Sequence, residues 1–233
     1  MASALGGVPR ERIHLVLMLV LTFTTGINDA VGYLGLDKVF TGNMTGNVVI
    51  LGMAISGVDG LPVLGPALAL AGFLLGAAIG GRALKKAAAP WTSATTGMLV
   101  FVALAMFGSA TVLWVAGEDL RHSTMVMVTT TCALSLGVQA ATARHIAVRD
   151  VTTVVVTSTI TGLAADSWLG NGRGGGFLRR ATAVVLMGLG ATVGALLLYI
   201  DGAWGLALAG TLITLVAIAG ETHRRHENPN GVG

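Results

Sequence analysis

Hydroxyl, amide and glycine residues gather at two places in an otherwise apolar chain: Phe40-Thr41-Gly42-Asn43-Met44-Thr45-Gly46-Asn47 and Val156-Thr157-Ser158-Thr159-Ile160-Thr161-Gly162. In the hydrocarbon core, non-helical backbone is tolerated only where protein buries it or a watery cavity wets it. If each stretch opens a short helix, its first N–H groups and its positive dipole end point at whatever lies in front of them. Two such ends meeting near the midplane would bind a small anion or a neutral polar solute. Thr41, Asn43, Thr45 and Asn47 would serve on one side, and Thr157, Thr159 and Thr161 on the other. The same Gly and Thr content would equally serve tight packing and satisfy a broken backbone.

Asn28 and Asp29 are the next candidates. A carboxylate inside a membrane helix costs a few kcal/mol and marks a functional site by default. Asp29 lies 16 residues past Ile13, about 24 Å along a helix, which places it near the outer boundary. It would either bind a coupling proton or cation, or cap the turn that follows. Its counterpart in the repeat described below is Ala140, whereas Asn28 matches another amide, Gln139. Asn28 and Gln139 therefore join the solute-binding set.

These residues sit in a membrane chain. Hydrophobic residues make up 54% of the 233 residues and charged residues 11%, against about 25% charged in soluble domains. Mean hydropathy is +0.80. Such a chain lacks the polar surface to cover a water-soluble globule. Eight apolar segments can be bounded: 13–34, 39–56, 62–84, 95–116, 124–143, 151–169, 181–200 and 204–220. The second and sixth are shorter and rich in Thr. The connections are short, so the whole of 1–233 reads as one all-α membrane domain, with a polar tail over 221–233. The N-terminus, with Arg10 and Arg12 before the apolar run, has no small-residue cleavage site after it and reads as a retained first span.

Basic residues decide which segments cross, because Lys and Arg accumulate in cytoplasmic loops. With eight crossings and an inside N-terminus, six of the 14 basic residues fall outside: Lys38, Arg82, Lys85, Lys86, Arg144 and Arg149. With segments two and six entering and leaving on one side, 12 basic residues are cytoplasmic, and Lys38 and Arg121 alone lie outside. This predicts six full transmembrane helices plus two re-entrant or broken helices, with both termini cytoplasmic.

An internal repeat points the same way. Thr24, Gly26, Ile27, Asn28 and Ala30 match Ser135, Gly137, Val138, Gln139 and Ala141 at an offset of 111. The run Val39–Gly46 matches Val155–Gly162 at 116, and Gly76–Gly80 matches Gly190–Gly194 at 114. The halves are residues 13–116 and 124–220. Three crossings per half is an odd number, so the halves are expected to be inverted, the plan of many channels and transporters. Gly76-x-x-x-Gly80 and Gly190-x-x-x-Gly194 are small-residue helix contacts, expected between the halves or between two protomers of a homodimer.

Other features exclude more than they suggest. Gly170-x-Gly172-x-x-Gly175 fits a dinucleotide fingerprint in form but follows no strand. The five histidines sit at span ends or in the tail, with no metal-ligand spacing beside a thiol or carboxylate. The lone Cys132 rules out an internal disulfide. There is no Ser/His/Asp grouping, phosphate loop or paired membrane carboxylate, so the sequence argues against an enzyme and calls for no cofactor, metal or nucleic acid.

Thr25-Gly26-Ile27-Asn28-Asp29-Ala30-Val31-Gly32-Tyr33-Leu34, followed by Phe40-Thr41-Gly42-Asn43-Met44-Thr45-Gly46-Asn47, resembles the YoaK family of small bacterial membrane proteins. Thr157-x-Thr159-x-Thr161-Gly162 is similar to that family's second Thr-Gly element. The resemblance runs from about Arg12 to Gly220 and implies a bacterial cytoplasmic-membrane protein of about six spans. It carries no substrate and no assigned residues. The residues themselves suggest a transporter or channel for a small polar or anionic solute. The alternative is a non-transporting membrane scaffold or sensor with a partner-binding cytoplasmic face.

Overall fold

The computed structural model describes residues 9–57, 60–117, 120–146, 156–168, 170–172 and 175–227. The repeat match at Val155, the loop cations Arg149 and Arg173, and the last six residues of the tail lie outside them. The described residues form eight α-helices: α1 (Arg10–Ala30), α2 (Met44–Ile55), α3 (Leu64–Ala83), α4 (Ser93–Ala116), α5 (His122–Ile146), α6 (Val156–Ala165), α7 (Phe177–Leu197) and α8 (Gly202–Glu227). A π-helical turn, Val31–Gly35, extends α1. Six helices are long and apolar enough to cross a membrane. The other two, α2 with 12 residues and α6 with 10, are about 18 and 15 Å long, half the hydrocarbon thickness. The protein is an all-α, multi-pass membrane protein.

Helix directions follow from which residues meet. A Cβ on Gly65, at the start of α3, would stand 2.8 Å from Val39 Cγ2 and 2.9 Å from Asp37 Oδ2, just beyond the end of α1. The chain therefore leaves α1 and begins α3 on the same side. Along α3 and α5, Gly72 meets Thr130, Gly76 meets Leu134, and Gly80 meets Val138 and Ala141, so these two helices run parallel. Gly26 with Ala191, and Gly190 with Phe23, make α1 and α7 parallel. Thr96 bonds Glu221, Gly210 faces the ring of Phe107, and Trp114 meets Trp204 edge-on. As α4 rises α8 descends, so those two are antiparallel. In all, α1, α4 and α7 point one way and α3, α5 and α8 the other.

Glycine makes the tightest crossings, because only a missing side chain lets two backbones approach this closely. A Cβ on Gly26 would press on Met187 O and lie 2.9 Å from Ala191 N; a Cβ on Gly137 would press on Phe73 O and lie 2.9 Å from Ala77 N. Gly194 would meet Ile27 Cα at 3.0 Å and Ala30 Cβ at 3.1 Å; Gly80 would meet Val138 Cα at 3.4 Å and Ala141 Cβ at 2.9 Å. Each partner of the first crossing maps onto a partner of the second by 111 or 114 residues, the offsets of the sequence matches. The packing as a whole exchanges likewise: α3 with α5 for α7 with α1, α4 with α5 for α8 with α1, and α2 with α3 for α6 with α7. The glycine faces are thus filled by helices of the same chain, α3 against α5 and α1 against α7, the first of the two interfaces considered from the sequence.

α4 and α8 close the core through Met106, Ala110, Ile213 and Ala217, all wholly buried or nearly so. At one end of this pair Trp91 lies over Gly220, stacks on His14, and donates its indole N–H to Thr96 at 3.0 Å. Arg10 pairs with Glu227 at 2.7 Å, which ties the start of α1 to the end of α8.

Candidate functional site

The chain reverses after α1 at Lys38, whose φ is 50°, and returns as an extended segment beside α1. Gly32 makes the return possible, since a Cβ there would lie 2.6 Å from Val39 O and 2.9 Å from Thr41 Cγ2. Three consecutive backbone N–H groups then converge on one oxygen. Asp29 Oδ1 accepts from Thr41 N at 2.9 Å, Gly42 N at 2.6 Å and Asn43 N at 3.3 Å, and from the Thr41 hydroxyl at 3.4 Å. The carboxylate stands at the positive end of α2, where a negative group is most favoured. Of the two roles open to Asp29 in the sequence, the geometry displays the cap.

The rest of the signature builds the same latch. Asn43 caps α2 by accepting from Gly46 N at 3.2 Å. Asn47 clasps the backbone of Phe40 twice: Phe40 N donates to Asn47 Oδ1 at 2.9 Å, and Asn47 Nδ2 donates to Phe40 O at 2.6 Å. These bonds satisfy buried backbone groups that an extended segment leaves bare. Gly46 makes room for the Phe40 ring, which stacks on Tyr33 with centroids 4.7 Å apart. Thr41, Asn43 and Asn47, expected from sequence as solute ligands, are therefore occupied in holding the turn. Thr45 points outward and is exposed.

The amide pair differs. Gln139 reaches from α5 to α1, donating Nε2 to Thr25 Oγ1 at 3.2 Å and more distantly to Leu21 O at 3.5 Å. The Thr25 hydroxyl spends its own hydrogen on Leu21 O at 2.9 Å, so it can only accept from Gln139. That fixes which way the Gln139 amide lies and leaves its Oε1 without a donor. Asn28, one turn beyond Thr25, is 0% exposed, and Gln139 is 1%. Neither amide atom of Asn28 finds a hydrogen-bond partner. Among the buried polar side chains of the two signature stretches, Asn28 alone has no structural partner.

In the second half, Thr159 is buried while Thr157 and Thr161 are exposed, and Thr161 donates back to Thr157 O at 2.9 Å. α6 rests on α7 as α2 rests on α3, so each short helix packs chiefly on the long helix that follows it. The two Thr-Gly segments are thus attached to different long helices, and the polar contact between α1 and α5 is made by Thr25 and Gln139. Sequence reasoning passed over Arg180, which reaches from α7 to Gly162 O at 2.8 Å and Asp166 at 2.7 Å. Its signal was present: Asp166 stands before the Gly-rich loop, and Arg179 and Arg180 stand after it. Thr25 was also missed, because a Thr in a helix ordinarily bonds only its own preceding turn.

A family model described as a protein of unknown function (DUF1275) matches residues 17–219, from within α1 to within α8. The UPF0700 transmembrane protein YoaK of Bacillus subtilis (strain 168) is 33% identical over 151 residues, which is 64% of this chain and 65% of that relative's length. No solved structure matches. With one family model running through all eight helices and a transmembrane relative at this identity, the chain belongs to the YoaK-like DUF1275 family of multi-pass membrane proteins.

Proposed function

We propose that this protein is a transporter or channel for a small neutral polar solute, taken at the Asn28–Gln139 amide pair between two inverted halves. The observation that carries the reading is the pair itself: matching positions of the repeat, wholly buried, with three amide atoms lacking partners. A buried polar atom without a partner costs about 1–3 kcal/mol, and a site built to bind is a place where such a cost is kept. Neutral solutes are favoured over anions because Asp29 already fills the α2 terminus that an anion would use. The exchange of packing pairs between the halves supports an inverted repeat. The shared side of Asp37, Val39 and Gly65 supports α2 as a re-entrant element. The uneven placement of the 14 basic residues supports a bacterial cytoplasmic-membrane location with both termini inside.

The test is solute flux into proteoliposomes, read by light scattering after an osmotic step with urea, small amides or glycerol. Asn28→Leu and Gln139→Leu are expected to lower flux at least tenfold while the protein still inserts and melts normally. If wild-type protein passes none of these solutes, or both variants pass them unchanged, the transport reading fails and the scaffold reading takes its place.

A further inference from the structure

Four exposed cations stand at the ends of α3 and α5. The two helices run parallel and remain in contact to their last turns, for a Cβ on Gly80 would lie 2.9 Å from Ala141 Cβ and 3.2 Å from Val138 O. Arg82 is in the last turn of α3, Lys85 and Lys86 follow it directly, and Arg144 is in the last turn of α5. His145 bonds Ala89 O at 3.0 Å and holds the loop after α3 against the end of α5. All four cations are exposed, and none forms an ion pair with a described residue. They begin where the apolar part of α3 stops.

The other half supplies an internal comparison. α7 and α1 cross through equivalent glycines and end side by side in the same way. At the offsets of 114 and 111, the four cations correspond to Leu196, Tyr199, Ile200 and Tyr33. The crossing therefore does not require basic residues. Nor do helix C-termini as such, since the dipole would favour cations at both ends. One end is made strongly basic and the other apolar and aromatic.

We propose that the joined ends of α3 and α5 bind the headgroup of an anionic phospholipid, its phosphate held among Arg82, Lys85, Lys86 and Arg144. A basic cluster beside a span end, between two helices, suits a phosphate at the membrane surface, where each cation contributes about fivefold in affinity. The inference is independent of the transport reading. It also does not depend on which leaflet the cluster faces, because the lipid can be supplied to both.

The purified full chain would be titrated in neutral detergent with phosphatidylglycerol, with phosphatidylcholine as the uncharged control and inorganic phosphate as the soluble one. Native mass spectrometry reads bound lipid, and melting temperature reads stabilisation. Wild type is expected to retain phosphatidylglycerol in preference to phosphatidylcholine and to melt higher with it. The combined variant Arg82→Gln, Lys85→Gln, Lys86→Gln, Arg144→Gln is expected to lose at least tenfold in retention, and Arg12→Gln with Arg179→Gln much less. Where the fourfold variant fails to insert, Lys85→Gln and Arg144→Gln alone should each lose about fivefold. Equal retention of both lipids by wild type, undiminished retention by these variants, or full displacement by inorganic phosphate would each overturn the proposal.

Discussion

Asp29 and Asn28 are neighbours in the chain with opposite roles. Asp29 is saturated at Oδ1 by four donors, and removing it would strand three backbone N–H groups inside the protein. Asp29→Ala is expected to cost about 3 kcal/mol, since hydrogen bonds to charged groups contribute roughly 1.5–3 kcal/mol each and are not additive; denaturation in mild detergent measures it. Asp29→Asn keeps an acceptor oxygen and should lose less. If capping is its whole role, that variant still concentrates solute; loss of uphill uptake with exchange retained would make Asp29 a coupling site instead. Asn28→Leu should leave stability unchanged or raised, because an apolar group of similar shape replaces an amide with no partner. Flux and stability must therefore separate at residue 28 and fall together at residue 29. Sequence narrowed Asp29 to two roles but offered Asn43 and Asn47 as solute ligands. Their partners depend on how far the segment before α2 folds back along α1, and residue type does not encode that distance.

Helices that cross through glycine depend on the absence of a side chain more than on any contact. A Cβ at Gly76 would press on Leu134 O, and one at Gly190 on Phe23 O, each against backbone that cannot rotate away. Gly76→Ala and Gly190→Ala should each destabilise by about 2 kcal/mol, within the range for overpacked cores, and by similar amounts. Thermal melts of the two variants measure this, and a large inequality would mean that the crossings are not equivalent. At this scale much was legible, because an apolar run of about 20 residues has few fates in a membrane. Boundaries shifted where polar residues found partners. α8 runs on past Gly220 to Glu227 because Glu221 bonds Arg224 and Arg225 on the next turn. Segment two, bounded at Val39, is helical only from Met44, since its first residues serve as the extended latch. The glycine spacing announced close crossings without naming partners; that α3 pairs with α5 and α7 with α1 is decided by three-dimensional exchange between the halves.

For the molecule as a whole, helix direction and charge placement favour the same topology. Counting Lys and Arg favours six crossings. The antiparallel packing of α4 against α8 agrees with that count, because eight crossings would make those two helices parallel. The difference is sharpest at the end of α2. With six crossings, Ser56 lies on the same side as Lys38 and opposite Lys86. With eight, Ser56 lies opposite both. Single cysteines at Lys38, Ser56 and Lys86, placed in a Cys132→Ala background, distinguish the two when intact cells are treated with a membrane-impermeant thiol reagent. Cys132 is wholly buried, and Ala fills most of its place, so the background protein should fold. Positions 38 and 56 are expected to label from outside, and position 86 only after the membrane is opened. Labelling of 38 and 86 with protection of 56 would restore eight crossings. It would also remove the inverted arrangement on which a shared site between the halves depends.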